Sequence, residues 1–248
     1  MDRDLIATDG DAWRVAALSM MSASELHRVL SSEDAAAWVT AAANTGIAEA
    51  QVRLGRMLLA GEGMAKDERA AFAWFARAAE TGDIEAHNML GRCYEGGWGV
   101  TQDFAAAARH YGIAAQADHA WAQYNLAHLH LDGHGVMRDV DWAFVLYMRA
   151  SEQGHVRAMN LVARCYEEGW GAPRDTAQAR DWYRKSAEGG YFRGAYNYAT
   201  MLAANGDIAQ AAAWFKKAIT TAPEPTRSNM IAALAKHSNA ALRAITLG

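Results

Sequence analysis

The chain has 248 residues, 52% of them hydrophobic and 21% charged, which is enough apolar material for a substantial buried core. Its 24 Lys and Arg against 28 Asp and Glu give a net charge of −4, which argues against the dominant basic surface of a general nucleic-acid binder. The opening MDRDLIATDGDAW lacks the apolar segment of a signal peptide, and no apolar run reaches the roughly 18–20 residues that cross a bilayer, so the expectation is one soluble cytoplasmic body.

Residues 12–21 (AWRVAALSMM) read as a first helix, with Leu18 and Ser19 in columns that recur further on. AAAWVTAAANTG (35–46) then aligns with AFAWFARAAETG (71–82), 36 residues later. From there the period of 36 is sustained: Ala50, Ala86, Ala122 and Ala158 begin successive units, and Gly194 continues them. Leu54, Leu90, Leu126 and Val162 follow four residues on, and the next column is small (Gly55, Gly91, Ala127, Ala163). Glycine pairs at 61/63, 97/99, 133/135 and 169/171 precede Asp67, Asp103, Asp139 and Asp175. Phe75, Tyr111, Tyr147 and Tyr183 form an aromatic column, and Gly82, Gly154 and Gly190 mark a second turn, with Asp118 as the exception.

The unit is a helical hairpin. Apolar residues at offsets 0, 4, 5 and 8 make the buried stripe of the first helix. The Gly-x-Gly loop stops that helix, and the aspartate caps the next. One hairpin cannot bury both of its faces, so the units stack into a solenoid. The fifth unit loses four residues from its loop, passing from Asn205-Gly206-Asp207 straight into its second helix. The expected organisation is an N-terminal cap and degenerate repeat over 1–34, a repeat array over 35–221, and a capping helix over 222–248.

AHNMLGRCYEGGWGVTQD (86–103) and residues 158–190 carry these columns most fully, and here the chain resembles the Sel-one-like repeat family, relatives of the tetratricopeptide repeat. The resemblance implies an all-α, right-handed α-α superhelical solenoid that serves as an adaptor in complexes and is not a catalyst. Asp118 in place of the turn glycine, His130 in place of the usual tyrosine, and the shortened last loop depart from the family pattern.

Catalytic and cofactor chemistry find no residues to rest on. Cys93 and Cys165 share a column two repeats apart, too far for a disulfide, and read as small core fillers in a reducing compartment. The Gly-Trp-Gly loops lack the Lys-Ser/Thr of a phosphate loop, and no strand precedes them. His119, His128, His130 and His134 gather around the third repeat without the convergence a zinc site needs. The expectation is therefore no enzyme, no cofactor and no metal.

One helix face is distinctive. In tetratricopeptide-like arrays the free face of the first helices lines the concave groove. At offsets −1, 2, 3 and 6 it carries Arg56, Asn88, Arg92, Trp121, Tyr124, Asn125, His128, Arg157, Asn160, Arg164, Arg193, Tyr196 and Asn197. Arginine forks suit carboxylates, and Trp and Tyr supply contact area, so the expected ligand is an acidic or carboxylate-bearing protein segment. The plainer alternative has the arginines pairing with Glu95, Glu167 or Glu168. Two rival functions remain: a small-molecule or metal site around His128 and Trp121, and partner docking by Trp98 and Trp170 from the loop edge.

Overall fold

The computed structural model describes residues 34–247 together with residues 14 and 17. The helix expected over 12–21, with Leu18 and Ser19, and the proposed cap over 1–34 lie essentially outside these residues. Among the described residues all regular structure is helical. The elements are α1 (Ala35–Asn44), α2 (Ala48–Ala60), α3 (Glu68–Glu80), α4 (Ile84–Gly96), α5 (Phe104–Gln116), α6 (Ala120–Asp132) and α7 (Val140–Glu152). They continue with α8 (Val156–Glu168), α9 (Thr176–Glu188), α10 (Phe192–Ala204), α11 (Ile208–Thr221), α12 (Thr226–Ala235), α13 (Ala240–Arg243) and a 3-10 turn over Ala244–Leu247. This is an all-α repeat solenoid fold. The C-terminal segment departs from one capping helix, because the chain leaves helical geometry between Ala235 and Ala240 and starts again under an Asn239 cap that accepts from Ala241 N at 2.9 Å.

Local chemistry sets the helix ends. Asp67, Asp103, Asp139 and Asp175 each accept a hydrogen bond from a backbone N–H of the first turn, at 2.9–3.0 Å, satisfying donors the helix itself cannot. At the other end Gly97, at φ 69°, takes the left-handed conformation that ends α4. Asp118, at φ 56°, adopts the left-handed backbone that glycines hold in the equivalent turns, so the sequence exception leaves the turn geometry in place.

The chain divides into two compact units, the first comprising residues up to Ala122 with 134–137, the second Gln123–Gly133 and everything from Arg138. In the first, Phe75 and Tyr111 are wholly buried, and the small column makes room for them. A Cβ on Gly55 would sit 2.4 Å from the Phe75 ring, and one on Gly91 would sit 2.5 Å from the Tyr111 ring. Met89, Leu90 and Cys93 complete that core. In the second unit Tyr147 and Tyr183 are the matching buried rings, and a separate cluster of Ala199, Leu202, Ala211 and Phe215 closes over Leu234 and Leu242. Each such ring contributes about 1.5–3 kcal/mol by leaving water.

The buried stripe of the first helices differs from the expected one. Offset 7, not offset 8, is fully buried in four repeats, through Met57, Cys93, Leu129 and Cys165, while Leu58, Tyr94, His130 and Tyr166 are half-buried. Offset 2 is also buried at Val52, Asn88 and Asn160. The reason is stacking: a first helix is covered by its own second helix and also by a neighbouring repeat, so it buries a wider arc than an amphipathic surface helix.

Candidate functional site

Two positions repeat a single arrangement. The Arg92 guanidinium lies 5.2 Å from the centroid of the Trp98 ring, and Arg164 lies 4.9 Å from that of Trp170. Each arginine sits near the C-terminal end of a first helix, and each tryptophan lies in the Gly-Trp-Gly loop that follows. The ring packs back onto the helix end, where a Cβ on Gly96 would come within 2.6 Å of Trp98. Arg92 and Arg164 are exposed, and neither forms an ion pair among the described residues.

The carboxylates that the plainer alternative paired with them are engaged elsewhere. Tyr111 donates to Glu95 at 2.5 Å, and Tyr183 donates to Glu167 at 2.6 Å. Glu168 lies 3.9 Å from Arg174. Arg56 behaves differently, forming an ion pair with Glu85, which also binds His119 at 2.6 Å. Burial pushes the Glu85 carboxyl up, but the hydrogen bond from His119 and the charge of Arg56 outweigh it and hold the group below the ordinary range.

In the first unit Arg56, Lys66, Glu68, Met89, Arg92 and Trp98 line a cleft of about 380 Å³, in which Lys66 pairs with Glu68 at 2.8 Å and Arg56 with Glu85. In the second unit a larger cleft, about 580 Å³, brings together seven of the sequence-selected residues: Tyr124, His128, Asn160, Arg164, Arg193, Tyr196 and Asn197. Asp132, Glu167, Trp170, Tyr183 and Tyr191 also line it. Its two arginines are balanced by two carboxylates. His128, edge-on to Tyr124 at 4.6 Å, is pushed by burial below the usual histidine pKa, so it adds no charge near neutrality.

Asn88, Trp121, Asn125 and Arg157 line neither cleft. Asn88 and Asn160 were expected on a free face and are instead buried, because the adjoining repeat covers that side. Asn88 donates to Glu85 at 3.3 Å, and Asn160 accepts from Asn197 at 2.9 Å. Trp121 is exposed and belongs to the first unit; Asn125 is half-buried; Arg157 is exposed, 5.8 Å from the Tyr191 ring centroid. Trp98 and Trp170 are half-buried beneath their arginines. Sequence reasoning missed Lys66, Tyr183 and Tyr191 because a wheel drawn for first helices does not include loops, second helices or helix-entry residues. The paired Gly-Trp-Gly loops were the signal that could have found the tryptophan seats.

Cys93 and Cys165 are free and buried, and burial pushes both thiols up to about 12, so neither is a nucleophile at neutral pH. Among the described residues no group of three or more His, Cys, Asp or Glu side chains could hold a metal ion, and no helix is long and apolar enough to cross a membrane.

Comparison with known proteins places this geometry in context. The chain superposes on a Sel1 repeat protein from Oxalobacter formigenes with a TM-score of 0.75 and 25% identity, covering 86% of this chain and 88% of that one. A protective antigen of uropathogenic Escherichia coli gives a TM-score of 0.68 at 25% identity over 87% of this chain; the chain spans only 49% of that antigen. An immunity protein from Pseudomonas aeruginosa, 16% identical, shares the fold with a TM-score of 0.55. No curated protein matches the sequence. The Sel1 repeat profile matches residues 48–83, 84–119, 122–155, 156–191 and 193–220, in register with the hairpins described above. The chain belongs to the Sel1 repeat family.

Proposed function

We propose that the chain is a non-catalytic protein-interaction scaffold that binds carboxylate-bearing segments of its partner, with Arg92 a seat in the first unit and Arg164 a seat in the second, each acting within its own unit. Sel1 repeat proteins are in general protein-interaction scaffolds and typically lack catalytic activity. The observation that carries the finer reading is the repeated contact: a guanidinium held against an indole face loses part of its rotamer freedom in advance, which lowers the ordering cost of forking a carboxylate. The first-unit cleft favours an acidic group through Arg92, the lining cation with no ion pair among the described residues. The second-unit cleft, balanced in charge, suits a single carboxylate beside aromatic contacts better than a run of them.

In this reading the repeats over 35–221 are the working array, residues 222–248 close its end, and two reduced thiols point to the cytoplasm. The test is affinity capture from the native lysate with wild type and with Arg92→Glu/Arg164→Glu, helicity being checked by circular dichroism. A partner held by wild type, released by salt and lost by the folded variant supports the reading; equal capture by both overturns it.

One observation favours a second reading. The 580 Å³ cleft, walled by Tyr124, Tyr183, Tyr191 and Tyr196, has the size and aromatic lining of a small-molecule site. A thermal-shift screen with anionic metabolites and divalent metals separates the two, since a stabilising small ligand with no protein partner would favour the second.

A further inference from the structure

The buried aromatic column obeys a pairing rule with one exception. Tyr111 and Tyr183 donate to Glu95 and Glu167, which share a repeat position on the preceding helix. Where the ring has no hydroxyl, at Phe75 and Phe215, the matching positions are apolar, Leu59 and Ala203. At Tyr147 the matching position is Leu131. The Tyr147 side chain is 0% exposed, and its hydroxyl has no hydrogen-bond partner among the described residues. A buried donor left in this state costs about 1–3 kcal/mol relative to a satisfied one.

The orphan borders the second-unit cleft. The Tyr147 ring lies 5.4 Å from that of His128, nearly perpendicular to it, and 6.1 Å from that of Tyr124. His128, Tyr124 and Leu131 all line the cleft, as does Arg164. Arg164 and Asp132 both act electrostatically on the Tyr147 hydroxyl. A donor without an acceptor therefore stands at the edge of a cleft that carries a stacked guanidinium.

We infer that a carboxylate from an Asp or Glu side chain of the bound partner occupies, at Tyr147, the acceptor position that Glu95 and Glu167 fill in the neighbouring repeats. Leu131 turns aside to admit it, the Tyr147 hydroxyl donates to one oxygen, and Arg164 takes the other. The inference rests on the cleft being a carboxylate seat and names the group that makes it selective.

The probe is N-acetylglutamate α-amide, which carries one side-chain carboxylate, with N-acetylglutamine amide as control, titrated into the full chain and followed by NMR of the tyrosine and histidine rings. Wild type should bind the acid at millimolar concentration and the amide at least tenfold more weakly. Tyr147→Phe should weaken the acid about tenfold. Leu131→Glu should supply the acceptor from within, raise the melting temperature and abolish binding.

Wild-type affinity in both Tyr147→Phe and Leu131→Glu overturns the inference. If Arg164→Gln loses the probe while those two variants keep it, the cleft still binds carboxylates and only the role of Tyr147 falls. No binding by wild type, or undiminished binding by Arg164→Gln, removes the carboxylate seat itself. Tighter binding of free succinate than of the capped glutamate overturns the assignment to a protein side chain.

Discussion

The guanidinium of Arg164 lies 4.9 Å from the centroid of the Trp170 ring, and the pair Arg92–Trp98 repeats the arrangement two hairpins earlier at 5.2 Å. The stack joins a helix-end cation to a loop whose glycines let the indole fold back. The two features at first suggested separate roles, arginines for binding and Gly-Trp-Gly loops for architecture. In the structure they form one device, repeated at one phase of the hairpin.

Trp170→Ala should therefore leave the fold intact and loosen Arg164. A partially exposed cation–π contact contributes about 0.5–1 kcal/mol, so partner affinity should fall about two- to fivefold, with Arg164→Ala falling further. Surface plasmon resonance against the captured partner reads both. Unchanged affinity in Trp170→Ala would mean that the stack does not position the arginine.

Tyr183 and Tyr147 occupy the same column but differ in partner, and their stabilities should diverge on loss of the hydroxyl. Tyr183→Phe removes the bond to Glu167 and should cost about 1 kcal/mol, lowering the melting temperature. Tyr147→Phe removes a hydroxyl with no partner and should be neutral or stabilising. Calorimetry on the two variants, side by side, tests the contrast.

The second glycine of three loops, at Gly99, Gly135 and Gly171, is set by a neighbour more than by its own turn. A Cβ on Gly99 would come within 2.0 Å of the Glu68 carbonyl oxygen at the start of α3, and the residue also sits at φ 72°. Gly82, at φ 83°, has nothing within 4 Å. Gly99→Ala should thus destabilise by several kcal/mol or prevent folding, while Gly82→Ala should cost only the backbone strain, about 1–2 kcal/mol. Urea unfolding midpoints compare the two directly.

His87 and His110 face each other with their Nδ1 atoms 3.0 Å apart, which requires one ring to donate and the other to accept. Burial lowers both pKa values from 6.5; at His87 the charge of Asp83 offsets part of this, and at His110 the charges of His87 and Arg109 add to it. Bases with lowered folded-state pKa values bind fewer protons folded than unfolded. Their contribution is therefore intact above pH 6.5 and is lost as the pH falls from there through the lowered values. The melting temperature should drop between pH 7 and 5, and His110→Leu, which copies Leu146 of the next repeat, should flatten that drop. An identical slope in the variant would exclude the pair as its source.

Much of this protein was legible without coordinates. The period of 36, the Asp67-type caps, the Gly97-type stops and the small column opposite the aromatics follow from backbone sterics and local hydrogen bonding, which act between residues close in sequence. Those rules determined the hairpin, its repetition and the Sel1 family. The position of the arginines on an exposed helix end was equally readable, because exposure at offset 6 follows from helical periodicity alone.

What each exposed or buried polar group meets was decided only by tertiary structure. Wheel geometry placed Asn88 and Asn160 on an open face, but packing between repeats buried them. It offered Glu95 and Glu167 to the arginines, but the tyrosine hydroxyls took them, because an unpaired buried phenol is costly and these carboxylates were within reach. It gave no sign that Leu131 strands the hydroxyl of Tyr147. Local sequence determines helices and their ends through short-range sterics; partners of side chains sixteen or thirty-six residues apart depend on how hairpins stack, and only the folded chain brings those groups together.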